Sequence, residues 1–105
     1  MTDYSVVLTA ISSEEEARKL AVTLVEIHLA ACVSIIPNVV SVYNWKDQLQ
    51  QESEWVLLIK TRSDLIEKIG EAFKKNHPYE LPELLEVKIE KGSAAYLGWL
   101  GEWLA

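Results

Sequence analysis

The sequence predicts an α+β domain: an antiparallel sheet with two helices laid on one face. Three observations predict it. Hydrophobic periodicity switches between about 2 and about 3.6 in the order β-α-β-β-α-β. The second and third strands are joined by a short polar stretch, as in a hairpin. Each helical segment opens on a serine, a residue type that caps helix N-termini. A chain of 105 residues suffices for one domain spanning 1–105.

Tyr4–Ile11, "YSVVLTAI", is short, rich in β-branched residues and almost continuously apolar, which suits a central strand buried on both faces. Ser13 and Glu16 then have capping-box spacing, and three glutamates sit where a helix N-terminus favours negative charge. Ala17, Leu20, Ala21, Leu24, Ile27 and Ala31 recur at helical spacing, which places a helix over about Ser13–Ala30. "CVSIIPNVVSVYNW" reads as a second strand broken at Pro37–Asn38. Proline cannot donate to a ladder, and asparagine tolerates positive φ, so a bulge or an edge is expected there. "KDQLQQE" reads as a polar connection and "SEWVLLIKTR" as the third strand, making Val39–Arg62 a long hairpin.

Ser63 is placed as the cap of a second helix ending at Asn76, with Leu65, Ile66, Ile69, Ala72 and Phe73 inward. Lys74 and Lys75 complement its C-terminal dipole, Asn76 suits a left-handed cap, and Pro78 stops it. "ELPELLEVKIE" reads as the fourth strand. Gly92 turns the chain, and Ser93 caps a last helix running through Trp103. In this order the elements form the split βαβ, ferredoxin-like sandwich with an extended β2–β3 hairpin and a C-terminal helix.

Composition excludes several functions. A net charge of −6 opposes sequence-independent nucleic-acid binding, which needs clustered Lys and Arg, and equally opposes an anionic membrane surface. Uninterrupted apolar runs such as Trp55–Ile59 are far too short to span a bilayer. "MTDYSVVLTA" lacks the basic start and long apolar stretch of a signal peptide. Cys32 is the only cysteine and cannot form an internal disulfide, so a cytosolic location is expected.

Two features predict self-association. A strand over Glu52–Arg62 is roughly 36 Å long at ~3.3 Å per residue, whereas a helix over Ser63–Asn76 spans only roughly 21 Å at ~1.5 Å per residue. The hairpin therefore overhangs its covering helix and carries Tyr43, Trp45 and Trp55 with it. In the last helix Tyr96, Leu97, Trp99, Leu100, Trp103 and Leu104 fill an apolar arc of roughly 160°, wider than one small sheet requires.

"LAACVSIIPNVVSVYNW", "LLIKTR", "HPYELPELLEV" and "YLGWL" together resemble the CutA divalent-cation-tolerance family through essentially the whole chain. The resemblance implies a cytosolic homotrimer, PII-like in shape, with combined hairpins, no family-wide enzymatic activity and a link to copper and other divalent metals. Carried over position by position, Cys32 matches the cysteine of "AAC"; His77, Tyr79, Glu80, Pro82 and Glu83 match "HPYE-x-PE"; Tyr43, Trp45 and Lys60 match hairpin positions facing an intersubunit cleft. Asn38 stands where glycine is usual and Ser34 where asparagine is common. "WKDQLQ" lacks the usual glycine, and the cysteine that some members carry near the first strand is missing.

The candidate metal set is therefore His77, Glu80, Glu83 and Cys32, and the candidate cleft adds Tyr43, Trp45, Lys60 and Tyr79. An imidazole with carboxylates can hold copper or another divalent cation, although "NHPYELPE" is also a sound helix-stop. A ligand imidazole is expected to keep one ring nitrogen free of protein partners. Cys32 reads equally as a small buried hydrophobe, and a His28–Cys32 pair is broken by the expected helix end. Lys60 is expected beside Glu80 or Glu83, as an ion pair or as the holder of an anion. The leading function is divalent-cation binding by a non-enzymatic trimer; the alternative is a PII-like sensor whose cleft binds a small anionic metabolite. No organic cofactor is expected.

Overall fold

The computed structural model describes residues 2–105. Its strands are β1 (Tyr4–Ile11), β2 (Cys32–Trp45), β3 (Gln48–Arg62) and β4 (Leu85–Lys88), and its helices α1 (Glu14–Glu26), α2 (Ile66–Asn76) and α3 (Ala94–Glu102). The sheet runs β2-β3-β1-β4 with every neighbouring pair antiparallel. This is the ferredoxin-like arrangement.

Alternation along the strands divides the sheet into two unlike faces. Val7, Ile11, Leu57 and Ile59 point to the helix side. There they close a core with Leu20 and Leu24 of α1 and Ile69 and Phe73 of α2, all at most 2% exposed. Burying a side chain of that size contributes about 1.5–3 kcal/mol. Polar residues on this face are satisfied: the Thr61 hydroxyl donates to the Leu29 carbonyl at 2.7 Å.

The other face is also apolar. Cross-strand registers align Val6 with Lys60, Cys32 and Val87; Leu8 with Leu58, Ser34 and Leu85; and Ala10 with Val56 and Ile36. Leu85, Val87 and Ile36 stand 55, 51 and 43% exposed. α3 reaches this side at the Tyr4 end, where a Cβ on Gly101 would come within 2.5 Å of the Tyr4 hydroxyl. Arg62 donates to the Ala105 carbonyl, and the Ala105 N–H to the His28 carbonyl. Of the apolar arc on α3 only Leu100 is buried; Tyr96, Trp99 and Trp103 remain exposed.

Several boundaries differ from the sequence expectation. α1 ends at Glu26 rather than Ala30, because His28 adopts φ 62°. The Leu29 N–H bonds Leu24 O, and the His28 N–H bonds Val25 O, which is a Schellman motif built on a histidine. Ser63 is not the cap of α2. It opens a single 3₁₀ turn, Ser63–Leu65, while its hydroxyl bonds the Ser5 hydroxyl and accepts from Lys88. Asn76 is not left-handed. It is the last residue of α2 and satisfies the helix end through its side-chain amide, which donates to the Ala72 carbonyl.

The hairpin differs most. The polar connection Lys46–Glu52 shrinks to Lys46–Asp47, both at positive φ (50° and 64°), the signature of a type I′ turn. Gln48–Glu52 pair as strand, because a wet hairpin arm needs no apolar alternation to satisfy its backbone. The break at Pro37–Asn38 is a register shift between Ile36 and Val39, with Asn38 at φ 54°. β4 is only four residues long. Glu80–Leu84, expected as strand, leave the sheet.

Candidate functional site

The departure of Glu80–Leu84 from the sheet creates the site. Past Ala10 the segment from Pro78 to Glu83 runs opposite the hairpin arm, and between them lies a cleft of about 860 Å³. Its hairpin wall is built by alternation: Ser41, Tyr43 and Trp45 of β2, and Gln50, Glu52 and Glu54 of β3. Register pairs Tyr43 with Gln50 and Ser41 with Glu52, so one face of the two-stranded arm lines the cleft. Ala10 and Ser12 lie at its base, and Tyr79, Glu80, Leu81 and Glu83 form the other wall.

His77 fixes that second wall without facing the cleft. The residue is 8% exposed. Its Nδ1 accepts from the Tyr79 backbone N–H at 3.1 Å, and its Nε2 lies 2.9 Å from the Thr9 hydroxyl. Because an amide N–H can only donate, Nδ1 is the acceptor and Nε2–H donates to Thr9. Rings of Phe73 and Tyr79 flank it, with centroids at 5.3 and 5.1 Å. Burial lowers its pKa below the ordinary histidine value, and the Glu54 carboxylate partly opposes that shift. Both ring nitrogens are thus committed, against the expectation of a free one, and His77 is a buttress rather than an available ligand. Nor is Thr9–His77 a nucleophile–base pair, since the imidazole donates to the hydroxyl instead of accepting from it.

Tyr79 links this buttress to the hairpin. Its hydroxyl donates to Glu54 Oε2 at 2.6 Å, while its backbone rests on His77. Burial first, and then the bond to Glu54, push the phenol up to about 12. Glu54, 5% exposed, is the residue that sequence reasoning missed. Its available signal was the two-residue spacing from Gln50 through Glu52, which the connection reading concealed. At the open end of the cleft, desolvation and then the Glu52 and Glu54 charges raise the Tyr43 phenol. Lys46 approaches Glu80 to 3.9 Å and lies 5.5 Å from the Trp45 ring centroid.

Two candidates fall elsewhere. Cys32 is half-buried on the sheet face away from the helices, paired in register with Lys60. The Lys60 ammonium donates to Ser34 Oγ at 2.9 Å and lies 3.5 Å from Cys32 Sγ. Lys60 therefore stands beside neither Glu80 nor Glu83, and Cys32 joins no set with His77. Among the described residues no three His, Cys, Asp or Glu side chains come together as a metal cluster.

The model of the CutA1 divalent ion tolerance protein family matches residues 5–103. The chain belongs to the CutA1 divalent ion tolerance family. It is 43% identical over 97 residues to the divalent-cation tolerance protein CutA of Thermus thermophilus, covering 92% of this chain and 94% of that one. A chloroplastic CutA of Arabidopsis thaliana is also 43% identical, over 90% of this chain, but the match spans only 52% of that longer protein. A solved Thermus thermophilus CutA1 structure superposes with TM-score 0.93 at 41% identity, covering 97% of this chain and 99% of the other. CutA1 membership supports a role in divalent-cation tolerance.

Proposed function

We propose that the protein acts in divalent-cation tolerance as a non-enzymatic homotrimer whose clefts take up a divalent cation, copper most tightly. The carrying observation is the charge of the cleft: Glu52, Glu54, Glu80 and Glu83 line it with no lysine, arginine or histidine among the lining residues. That set repels an anionic metabolite, and Lys60, which would have held one, is turned to Ser34. The oxygen donors fit a hydrated divalent ion held by one or two carboxylates; they do not fit a closed cage, given the lack of a three-residue cluster among the described residues. For a fixed donor set, affinity along the first-row divalent metals peaks at copper. The bound ion would supply positive charge, while the chain's part is to hold the carboxylates apart on two rigid walls.

The uncovered apolar face supports assembly. A central strand as apolar as β1 needs cover on both sides, and α3 covers only one end of the second. The family resemblance implies that neighbouring copies supply the rest as a closed trimer. The proposed compartment is the cytosol, to be checked by fractionation.

Titration calorimetry tests the cation site. Replacing Glu52, Glu80 and Glu83 together by Gln should weaken Cu²⁺ binding by about tenfold or more. Unchanged Cu²⁺ affinity, or tighter binding of an anionic nucleotide than of any cation, would overturn it.

A further inference from the structure

We propose that the same cleft is a binding site for a linear organic polyammonium cation. The proposal shares with the metal reading only the acidity of the cleft and does not depend on it.

Three features distinguish this ligand class from a bare ion. The first is the spacing of charge. Four carboxylates line one cleft, yet no three of the described His, Cys, Asp or Glu side chains converge on a point. A single ion leaves most of them unmatched, whereas ammonium groups strung along an alkyl chain meet separated carboxylates in turn. The second is the wall between the charges. Tyr43, Trp45 and Tyr79 line the cleft together with Pro78 and Leu81. Aromatic faces attract desolvated ammonium groups, and the apolar surface suits methylenes, while neither offers much to a hydrated metal. The third is Glu54. It is 5% exposed, and Tyr79 occupies its Oε2. Glu54 nevertheless lines the cleft, so its carboxylate is held in place there by Tyr79 before any ligand arrives.

The chain also displays the binding mode itself. Lys46 is a primary alkylammonium, and it lies over the Trp45 ring at 5.5 Å while approaching Glu80 at 3.9 Å. An alkylammonium between an aromatic face and a carboxylate is the contact that each amine of the ligand would make further in. The Lys46 side chain is largely exposed and is not among the lining residues, so it marks the rim.

Spermidine is a suitable probe, titrated by calorimetry at fixed ionic strength beside n-butylamine and Mg²⁺. The expected result is one saturable site per chain, at least tenfold tighter for spermidine than for either control. Tyr43→Ala and Glu54→Gln should each weaken spermidine binding fivefold or more. Tyr43 lies on the exposed arm, so its replacement tests the site even if Glu54→Gln disturbs folding. Spermidine binding no tighter than n-butylamine, or unchanged in Tyr43→Ala, overturns the proposal. Titrating Cu²⁺ into the same samples separates the two ligand readings. Copper binding without spermidine binding overturns this proposal and spares the metal site; spermidine binding without copper binding does the reverse.

Discussion

Replacing His77 by alanine distinguishes a buttress from a metal ligand. The imidazole makes two hydrogen bonds, to the Thr9 hydroxyl and from the Tyr79 N–H, each contributing about 1 kcal/mol net. Its packing between the rings of Phe73 and Tyr79 adds about 1 kcal/mol. The expected loss is about 3 kcal/mol. With a urea m-value of about 1–3 kcal/mol/M for a chain of this size, the unfolding midpoint should fall by about 1–3 M. Tryptophan fluorescence reads the transition, with both proteins at one concentration so that assembly contributes equally. Cu²⁺ affinity should stay within about twofold, since neither ring nitrogen is available to a metal. The pH dependence is a second readout. Burial lowers the folded-state pKa of His77, so protonation favours the unfolded chain. This contribution is fully present above the unfolded value of about 6.5 and is lost as pH falls below it, at up to about 1.4 kcal/mol per pH unit. The alanine variant should lack that component of the acid slope. An unmoved midpoint together with a tenfold loss of Cu²⁺ affinity would refute the buttress and restore the ligand.

Three further outcomes follow from the geometry. Tyr79→Phe removes the donor to the buried Glu54 carboxylate and should cost about 1–3 kcal/mol; an unfolding midpoint equal to that of the parent would show that water replaces the phenol. Replacing Lys46–Asp47 by Asn–Gly relieves two positive-φ residues and should stabilise by about 1–2 kcal/mol; a lower midpoint would mean that the Lys46 contacts to Glu80 and Trp45 outweigh the turn. Sedimentation equilibrium should return three times the 11.9 kDa chain mass, and a stable soluble monomer would sink both the trimer and the covering of the second sheet face.

Local chemistry and periodicity were enough to read the element order, the ferredoxin-like topology and both working serine caps, Ser13 and Ser93, because each rests on residues within about four positions of one another. The helix-stop at His77–Pro78 was legible for the same reason. Tyr43, Trp45, Tyr79, Glu80 and Glu83 were singled out for a cleft between subunits, and the folded chain brings these five to one cleft of its own; the roles of His77, Lys60 and Glu54 were not visible. Each depends on a partner far away in the chain: Thr9 lies 68 positions from His77, Tyr79 lies 25 from Glu54, and Ser34 lies 26 from Lys60. The polar stretch after Lys46 misled for a related reason. Its strand is specified by pairing with Val39–Trp45 and not by its own hydrophobicity. A histidine's sequence neighbours say what it could bind. Whether its nitrogens are free is decided by which hydroxyl and which amide the folded chain brings into hydrogen-bond range, and in this protein it brings both, at 2.9 and 3.1 Å.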